Sequence, residues 1–318
     1  MSEEYDRHLA SLHDVWATPP TVVEALAADV AGSAVVDIRR IVHGEQNEVY
    51  DVTLAGAPSL IVRISHDGAD AFEREMWVLG QCEARRVRVP RVHGLRHVEV
   101  DGESLAAIVM DKIDGDRLCD VDLGEADLRR VLGEVGAWLT ELHAIPIGGF
   151  GYLDGTGVGK TATFEDWLTD LTGASAAFEE AGRSVRLPAT TVRSWLSEIA
   201  AALRAAPPRV GLIHNDLLSG HVIVRHGALA GIIDFGEVAA EPIANDFAKW
   251  DFVEGERFPV EWLRDGYRRG SLLQPPKDPT YRALWLANGL WRLRWYHETG
   301  YPPGAAAARD RLLSESSL

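Results

Sequence analysis

Residues 213–236 read IHNDLLSGHVIVRHGALAGIIDFG. Short apolar runs alternate with turn residues, which is the pattern of small buried strands joined by tight loops. The stretch sets His214, Asp216 and His221 on one loop and Asp234 at the end of the last apolar run. A carboxylate on a rigid loop can orient a hydroxyl and take its proton. A second carboxylate at a strand end can hold a divalent ion. Phosphoryl transfer needs those parts: positioning, a base, and a metal that neutralises phosphate charge. Each aspartate alone has a plain structural reading, Asp216 helping a turn and Asp234 capping a strand. The combined pattern His-x-Asp…Ile-Ile-Asp-Phe-Gly is far more specific than either.

Upstream of this block the chain changes character near residue 111. Residues 21–31 have helical spacing, and short β-rich runs follow at 35–42, 49–54, 59–64, 87–100 and 104–110. Gly44, Gly56-Ala57-Pro58 and Asp101-Gly102 separate them as turns. One helix, 70–84, interrupts the strands. After DKIDGD (111–116) the period turns helical: Leu128, Leu132, Val135, Leu139 and Leu142 mark one face of 124–144, and 164–182 and 188–206 also read as helices. Residues 245–315 read as helical and aromatic, with five of the ten tryptophans between Trp250 and Trp295. Trp285, Trp291 and Trp295 fall at helical spacing and are expected mostly in the core. The layout is a small β-rich N-terminal lobe, a hinge near 110–113 and a larger helical lobe, with ligands expected in the cleft between them.

Composition narrows the function classes. At 318 residues the chain is long enough for about two domains. Its 46% hydrophobic and 25% charged residues are an ordinary globular mix. No apolar run approaches the ~18 residues of a membrane span. The first residues, MSEEYDRHLASLHDVW, lack the basic and apolar regions of a secretory signal. Cys82 and Cys119 sit in no metal spacing and suit a reducing compartment, so a cytoplasmic location is expected. A net charge of −16 argues against nucleic-acid binding, which needs a basic face.

With these elements in order, the chain resembles the aminoglycoside phosphotransferase family, antibiotic kinases related in fold to protein kinases. VHGEQNEVYDV (42–52) resembles that family's phosphate-covering hairpin, LIVRI (60–64) its third strand, and FEREMWVL (72–79) the helix that supplies an acidic partner. IVMDKIDGDRL (108–118) resembles its hinge, WLTELHAI (138–145) the helix before the substrate-binding insertion, and PIANDFAKWD (242–251) the segment after the metal aspartate. The resemblance implies an α+β, two-lobed, protein-kinase-like fold, with a nucleotide-binding lobe over 1–110 and a catalytic and substrate-binding lobe over 111–318. It implies that Asp216 is the catalytic aspartate and that Asp234 binds Mg2+ between the nucleotide phosphates. His214 would support the loop, and Asp246 would brace it. Met110, Asp111 and Ile113 would offer backbone groups to the adenine edge. Gly44 and Asn47 would cover the phosphates, with an ordinary turn as the competing reading. Arg63 stands where the family's phosphate-pairing lysine is usual, keeping the charge in a planar fork. Its expected partner is Glu75, with Glu73 as the alternative.

His221 departs from the family pattern, which usually has asparagine as a second metal ligand five residues after the catalytic aspartate. Imidazole suits magnesium less well than oxygen does. The macrolide phosphotransferase branch is similar in carrying histidine there; simple packing within the loop is the other reading. The resemblance implies a Mg-dependent O-phosphotransferase that moves the γ-phosphoryl of ATP or GTP to a hydroxyl of an aminoglycoside- or macrolide-class antibiotic, giving resistance. The partner would be a small, hydroxylated, cationic molecule, with no nucleic acid or membrane involved, and the chain a monomer or homodimer. The rivals are a metabolic kinase of the same fold and a nucleotide-binding scaffold without catalysis. A protein kinase is disfavoured, because EVAAEPIANDF follows Asp-Phe-Gly in place of an activation segment. GTGVGKTAT (155–163) ends like a P-loop, but the position that needs its first glycine is Asp154. A flexible loop between helices is expected there. The remaining histidines, among them His13, His43 and His143, show no zinc spacing.

Overall fold

The computed structural model describes residues 3–14, 16, 18–42, 44, 46–269 and 277–314. His43 and Glu45 of the expected phosphate-covering hairpin lie outside the described residues, as do 270–276 and 315 of the expected helical tail. Two helices, α1 (Glu3–His13) and α2 (Pro20–Ala31), precede β1 (Val35–Ile41), β2 (Asn47–Leu54) and β3 (Ala57–Ser65). Helix α3 (Asp70–Ala84) then leads to β4 (Val92–Val100) and β5 (Glu103–Asp111). These strands form one antiparallel sheet in the order β1-β2-β3-β5-β4.

Strand alternation sorts the side chains of this sheet. Leu60, Val62 and Ile64 of β3 pack with Tyr50 and Val52 of β2 beneath Val23 and Ala27 of α2. The intervening residues Ile61 and Arg63, like Val49 and Asp51 of β2, face the opposite way and line a cleft. The expected strand at 87–100 begins only at Val92. Residues before it run across to the other half of the molecule instead. There the Arg88 carbonyl accepts the Trp138 indole N–H at 3.1 Å, and Pro90 can donate no ladder bond.

Beyond residue 111 come β6 (Asp116–Arg117), α4 (Glu125–Leu142), β7 (Phe150–Leu153), β8 (Gly159–Thr161), α5 (Phe164–Gly173), α6 (Ser175–Ser184) and α7 (Ala189–Ala205). Then follow β9 (Val210–Ile213), β10 (Val222–Arg225), β11 (Ala228–Ile232), β12 (Ala239–Pro242), α8 (Ala244–Glu254), α9 (Val260–Gly266), α10 (Pro279–Glu298) and α11 (Pro302–Ser314). Helix α4 buries Val131, Leu132, Val135, Trp138, Leu139 and Leu142, the face its periodicity predicts apart from half-buried Leu128. The single helix expected at 164–182 is two, because Ala174 leaves helical geometry between Gly173 and Ser175.

The stretch 155–163 is a hairpin and not a flexible loop. The Asp154 carboxylate accepts the N–H groups of Thr156 at 2.8 Å and Val158 at 3.1 Å, fixing the turn between β7 and β8. Gly157, at φ +83°, packs against the Trp77 ring, where a Cβ would collide with it. Of the three aromatic-tail residues only Trp285 is core; Trp291 is 41% exposed and meets Phe178 edge-on, and Trp295 is half-buried. No described helix is long and apolar enough to cross a membrane.

Candidate active site

Strand β9 ends at Ile213, and the chain then turns through Asn215, whose φ of 62° is left-handed. A non-glycine residue adopts that conformation at a cost, so the surroundings must hold it. Helix α8 does so. The buried Asp246 carboxylate accepts the N–H groups of His214 at 3.0 Å and Asn215 at 2.8 Å. Its Oδ2 also faces the buried His143 imidazole at 3.0 Å. Burial pushes the Asp246 carboxyl up, and His143 and His214 together hold it below its ordinary value. One turn further, the Lys249 ammonium donates to the Asn215 carbonyl and pairs with Asp216 Oδ1 at 2.9 Å. At the far end of the helix, Glu254 takes the N–H and the hydroxyl of Ser219 at 3.0 and 2.7 Å.

His214 lies beneath the loop, fully buried. The Asp216 N–H donates to its Nδ1 at 3.3 Å, so Nε2 carries the proton and donates to the Ile233 carbonyl at 3.2 Å. Burial lowers its basicity. The other imidazole, His221, donates from Nδ1 to the Asp216 carbonyl at 2.7 Å. Its Nε2 lone pair is thereby left facing Asp234 Oδ2, 3.5 Å away. Burial alone would raise the Asp216 carboxyl, but Lys249 and His221 hold it well below the usual carboxylate range.

The sheet contributes Arg63. Its Nη1 meets both Glu75 oxygens at 2.8 and 2.7 Å, and its Nη2 meets Asp234 Oδ1 at 2.9 Å. Burial works against the guanidinium charge, and Asp234 and Glu75 more than offset it. Glu75 sits on the otherwise apolar face of α3 with Phe72, Val78, Leu79 and Cys82, where an ionised carboxylate needs a partner. It also accepts the Phe235 N–H at 3.2 Å. Glu73 is exposed and near Gly155, so Arg63 pairs with Glu75. Arg74 of α3 donates to the Gly236 carbonyl at 2.9 Å. Asp234 itself is left-handed, at φ 69°.

A cleft of about 1290 Å³ lies between the sheet and this block, lined by Gly44, Arg63, Met110, Asp111, Ile113, His221 and Asp234. Asn47 opens β2, paired with Ser65, and is not among the lining residues; nor are Glu75 and Asp216. In the 110–113 stretch the Asp111 and Lys112 N–H groups are already bonded to the Arg91 and Ser59 carbonyls. A purine edge would therefore use the remaining groups there. Among the described residues no three His, Cys, Asp or Glu side chains form a ready metal cage. Asp234 Oδ2 and His221 Nε2 are nevertheless close enough to share one ion. Magnesium takes few protein ligands where phosphates complete its shell, so the donor set fits it, with one nitrogen in place of an oxygen.

Two further acids, Glu237 and Glu241, share the charge of Lys249 with Asp216. Burial raises both carboxyls, Glu241 to about 7. Glu241 accepts the Asn245 amide at 3.1 Å, and Tyr152, 44% exposed, flanks Glu237. Sequence reading missed these acids, Lys249 and Glu254. The signal for Lys249 was its spacing three residues after Asp246, which sets both on one helix face.

The sequence profile of the phosphotransferase enzyme family matches residues 37–284. Comparison with curated protein sequences gives no match. Among solved structures, a thermostable mutant of aminoglycoside phosphotransferase APH(4)-Ia, in a ternary complex with AMP-PNP and hygromycin B, superposes with a TM-score of 0.76. It is 23% identical, over 92% of this chain and 97% of that one. ADP-bound aminoglycoside phosphotransferase APH(2'')-Ib gives 0.61 at 17% identity, over 93% and 97% of the two chains. The gentamicin complex of APH(2'')-IIa gives 0.64 at 17% identity, over 94% and 97%.

Proposed function

We propose a specific reaction for this chain, which belongs to the phosphotransferase enzyme family: transfer of the γ-phosphoryl of ATP or GTP to a hydroxyl of an amine-bearing, antibiotic-like small molecule. The observation that carries the reading is the convergence of Arg63, Glu75, Asp234, His221 and Asp216 at one end of the cleft. The nucleotide base would lie against 110–113, which we take as the hinge between lobes 1–110 and 111–318, with Gly44 lining the same cleft. Arg63 would meet the phosphates, held by Glu75. Asp234 and His221 would hold Mg2+, which when bound neutralises phosphate charge. Asp216 would orient the acceptor hydroxyl. As the hydroxyl oxygen bonds to the γ-phosphorus, the bond to the β–γ bridging oxygen breaks and its electron pair leaves with the nucleoside diphosphate. The hydroxyl proton passes to Asp216 and on to solvent. A carboxylate held so strongly ionised favours orientation and late proton transfer over deprotonation beforehand.

Glu237 and Glu241 beside Asp216 support a cationic acceptor. So do the hygromycin B and gentamicin complexes of structurally similar proteins. The reading is tested by γ-labelled ATP or GTP with magnesium against hygromycin B, gentamicin, a macrolide and simple hydroxylated amines. Label is expected in an aminoglycoside. Asp216→Ala should keep nucleotide binding and lose about 10²–10⁴ in turnover. Asp234→Asn should weaken nucleotide binding in magnesium more than in chelator. Label only in a simple amine would favour the metabolic-kinase reading. Nucleotide binding without transfer to any acceptor would favour the scaffold.

A further inference from the structure

We infer that Lys249 is a positioning residue for phosphoryl transfer, acting through Asp216; the inference rests on the reading of Asp216 given above. Helix α8 meets the loop with one face. On that face, Asp246 takes the N–H groups of His214 and Asn215, and Lys249, three residues on, takes the Asn215 carbonyl and the Asp216 carboxylate. A carboxylate thus meets the donor side of one strained turn, and an ammonium meets its acceptor side. The left-handed Asn215 is clamped between them.

The second contact sets the carboxylate. Lys249 holds Asp216 Oδ1 at 2.9 Å, while Oδ2 stands 3.7 Å from the His221 ring. One oxygen is therefore fixed and the other is left for the acceptor hydroxyl. The Lys249 and Asp216 side chains are only 19% and 24% exposed, so this is not a fully solvent-screened surface pair. Without it the carboxylate can turn about its Cβ–Cγ bond and the Asn215 carbonyl loses a donor. Transfer depends steeply on the angle and reach of the attacking oxygen, whereas nucleotide binding does not involve this contact. Lys249 neither gains nor loses a proton in the step. Its charge also acts on Glu237 and Glu241, lowering both carboxyls against the effect of burial.

The test is a double-mutant cycle in the full-length chain: Lys249→Met, Asp216→Asn and both together, with Lys249→Arg as the conservative variant. The readouts are kcat and KM for MgATP hydrolysis without acceptor and for transfer from labelled ATP to hygromycin B, with MgATP affinity and melting temperature beside them. Lys249→Met is expected to lower kcat about 10- to 100-fold. MgATP affinity should stay within about threefold, Lys249→Arg should recover most of the rate, and the Lys249 change should cost nothing further in the Asp216→Asn background. An unchanged kcat in Lys249→Met, or a loss that adds fully to that of Asp216→Asn, overturns the inference. So does a parallel fall in melting temperature and nucleotide affinity, which would make Lys249 a structural brace. A wild-type chain that binds MgATP but neither hydrolyses nor transfers it sinks the reading of Asp216 and this inference with it. Transfer lost in Asp216→Asn but intact in Lys249→Met sinks the inference alone.

Discussion

His221 bears two loads that a single substitution can separate. Its Nδ1–H ties the loop to the Asp216 carbonyl, and its Nε2 faces Asp234. Asparagine offers an oxygen on the metal side and an amide N–H on the other. His221→Asn should therefore keep turnover and bind magnesium at least as well, while His221→Ala should lose both loads. Manganese should favour wild type over His221→Asn, since imidazole suits it better than it suits magnesium. Identical metal dependence in all three would leave only the loop-tying role. Glu241 gives a pH prediction. Its carboxyl is raised by burial from 4.5 to about 7, so below 4.5 it is protonated whether the chain is folded or not and costs nothing. Between those values the unfolded chain ionises freely while the folded one resists, and stability falls as pH rises. Glu241→Gln should melt higher than wild type at pH 8 and alike at pH 4.5; an equal difference at both would refute the shift. At this scale the resemblance pointed to Glu75 or Glu73 as the partner of Arg63, and only the packing of α3 shows that Glu75 is the one on the apolar face. Lys249 was legible only through its spacing from Asp246, because a lysine in the middle of a helix looks like any solvated charge until the loop packs against it.

Helices α4 and α9 approach backbone to backbone at Gly133, Gly136 and Gly266. A Cβ on Gly136 would run into the Leu263 carbonyl oxygen, and one on Gly266 into that of Gly133. The contact also seats Tyr267, whose hydroxyl meets His143 Nδ1 at 3.1 Å, and so reaches Asp246 through the same ring. Gly136→Ala should accordingly cost more than its gain in helix propensity, about 1–3 kcal/mol by overpacking. Chemical denaturation measures it, and an Ala variant as stable as wild type would show that the helices simply part. The helix-scale reading of the sequence succeeded where a 3.6-residue period ran long, as in α3 and α4. It failed over 155–163 and 164–182. The hairpin there is built from glycines at positive φ and an aspartate turn, which carry no alternating apolar signal. The break at Ala174 lies between two amphipathic segments whose patterns run on in phase closely enough to read as one. Helix α1 was also not foreseen; its short, polar sequence is helical because Leu9 and His13 are buried and His13 donates to the Gly44 carbonyl at 2.7 Å.

Across the whole molecule the lobes have separate apolar cores, one of Val52, Val62, Ile64, Leu105 and Val109 and their neighbours, the other centred on α4, α8 and α10. Separate cores would ordinarily allow separate unfolding. Helix α3 opposes that. Its Phe72 packs with Ile108 and Met110 of the sheet, while Val78, Leu79 and Cys82 lie in the core of the helical lobe. The same helix carries Glu75, and the chain Glu75–Arg63–Asp234 crosses the cleft from two buried charges to a half-buried one. Opening the lobes would break the Arg63–Asp234 arm and leave Arg63 paired with Glu75, so with Asp234 38% exposed this contact couples the lobes by less than the loss of a fully buried pair would. Calorimetry should therefore show one unfolding transition for both lobes. Nucleotide bound between them should shift that transition as a whole, by about 2.7 kcal/mol of added stability at a hundred times its Kd. Two transitions, only one of them moved by MgATP, would mean that α3 belongs energetically to one lobe and that the charged chain across the cleft couples nothing.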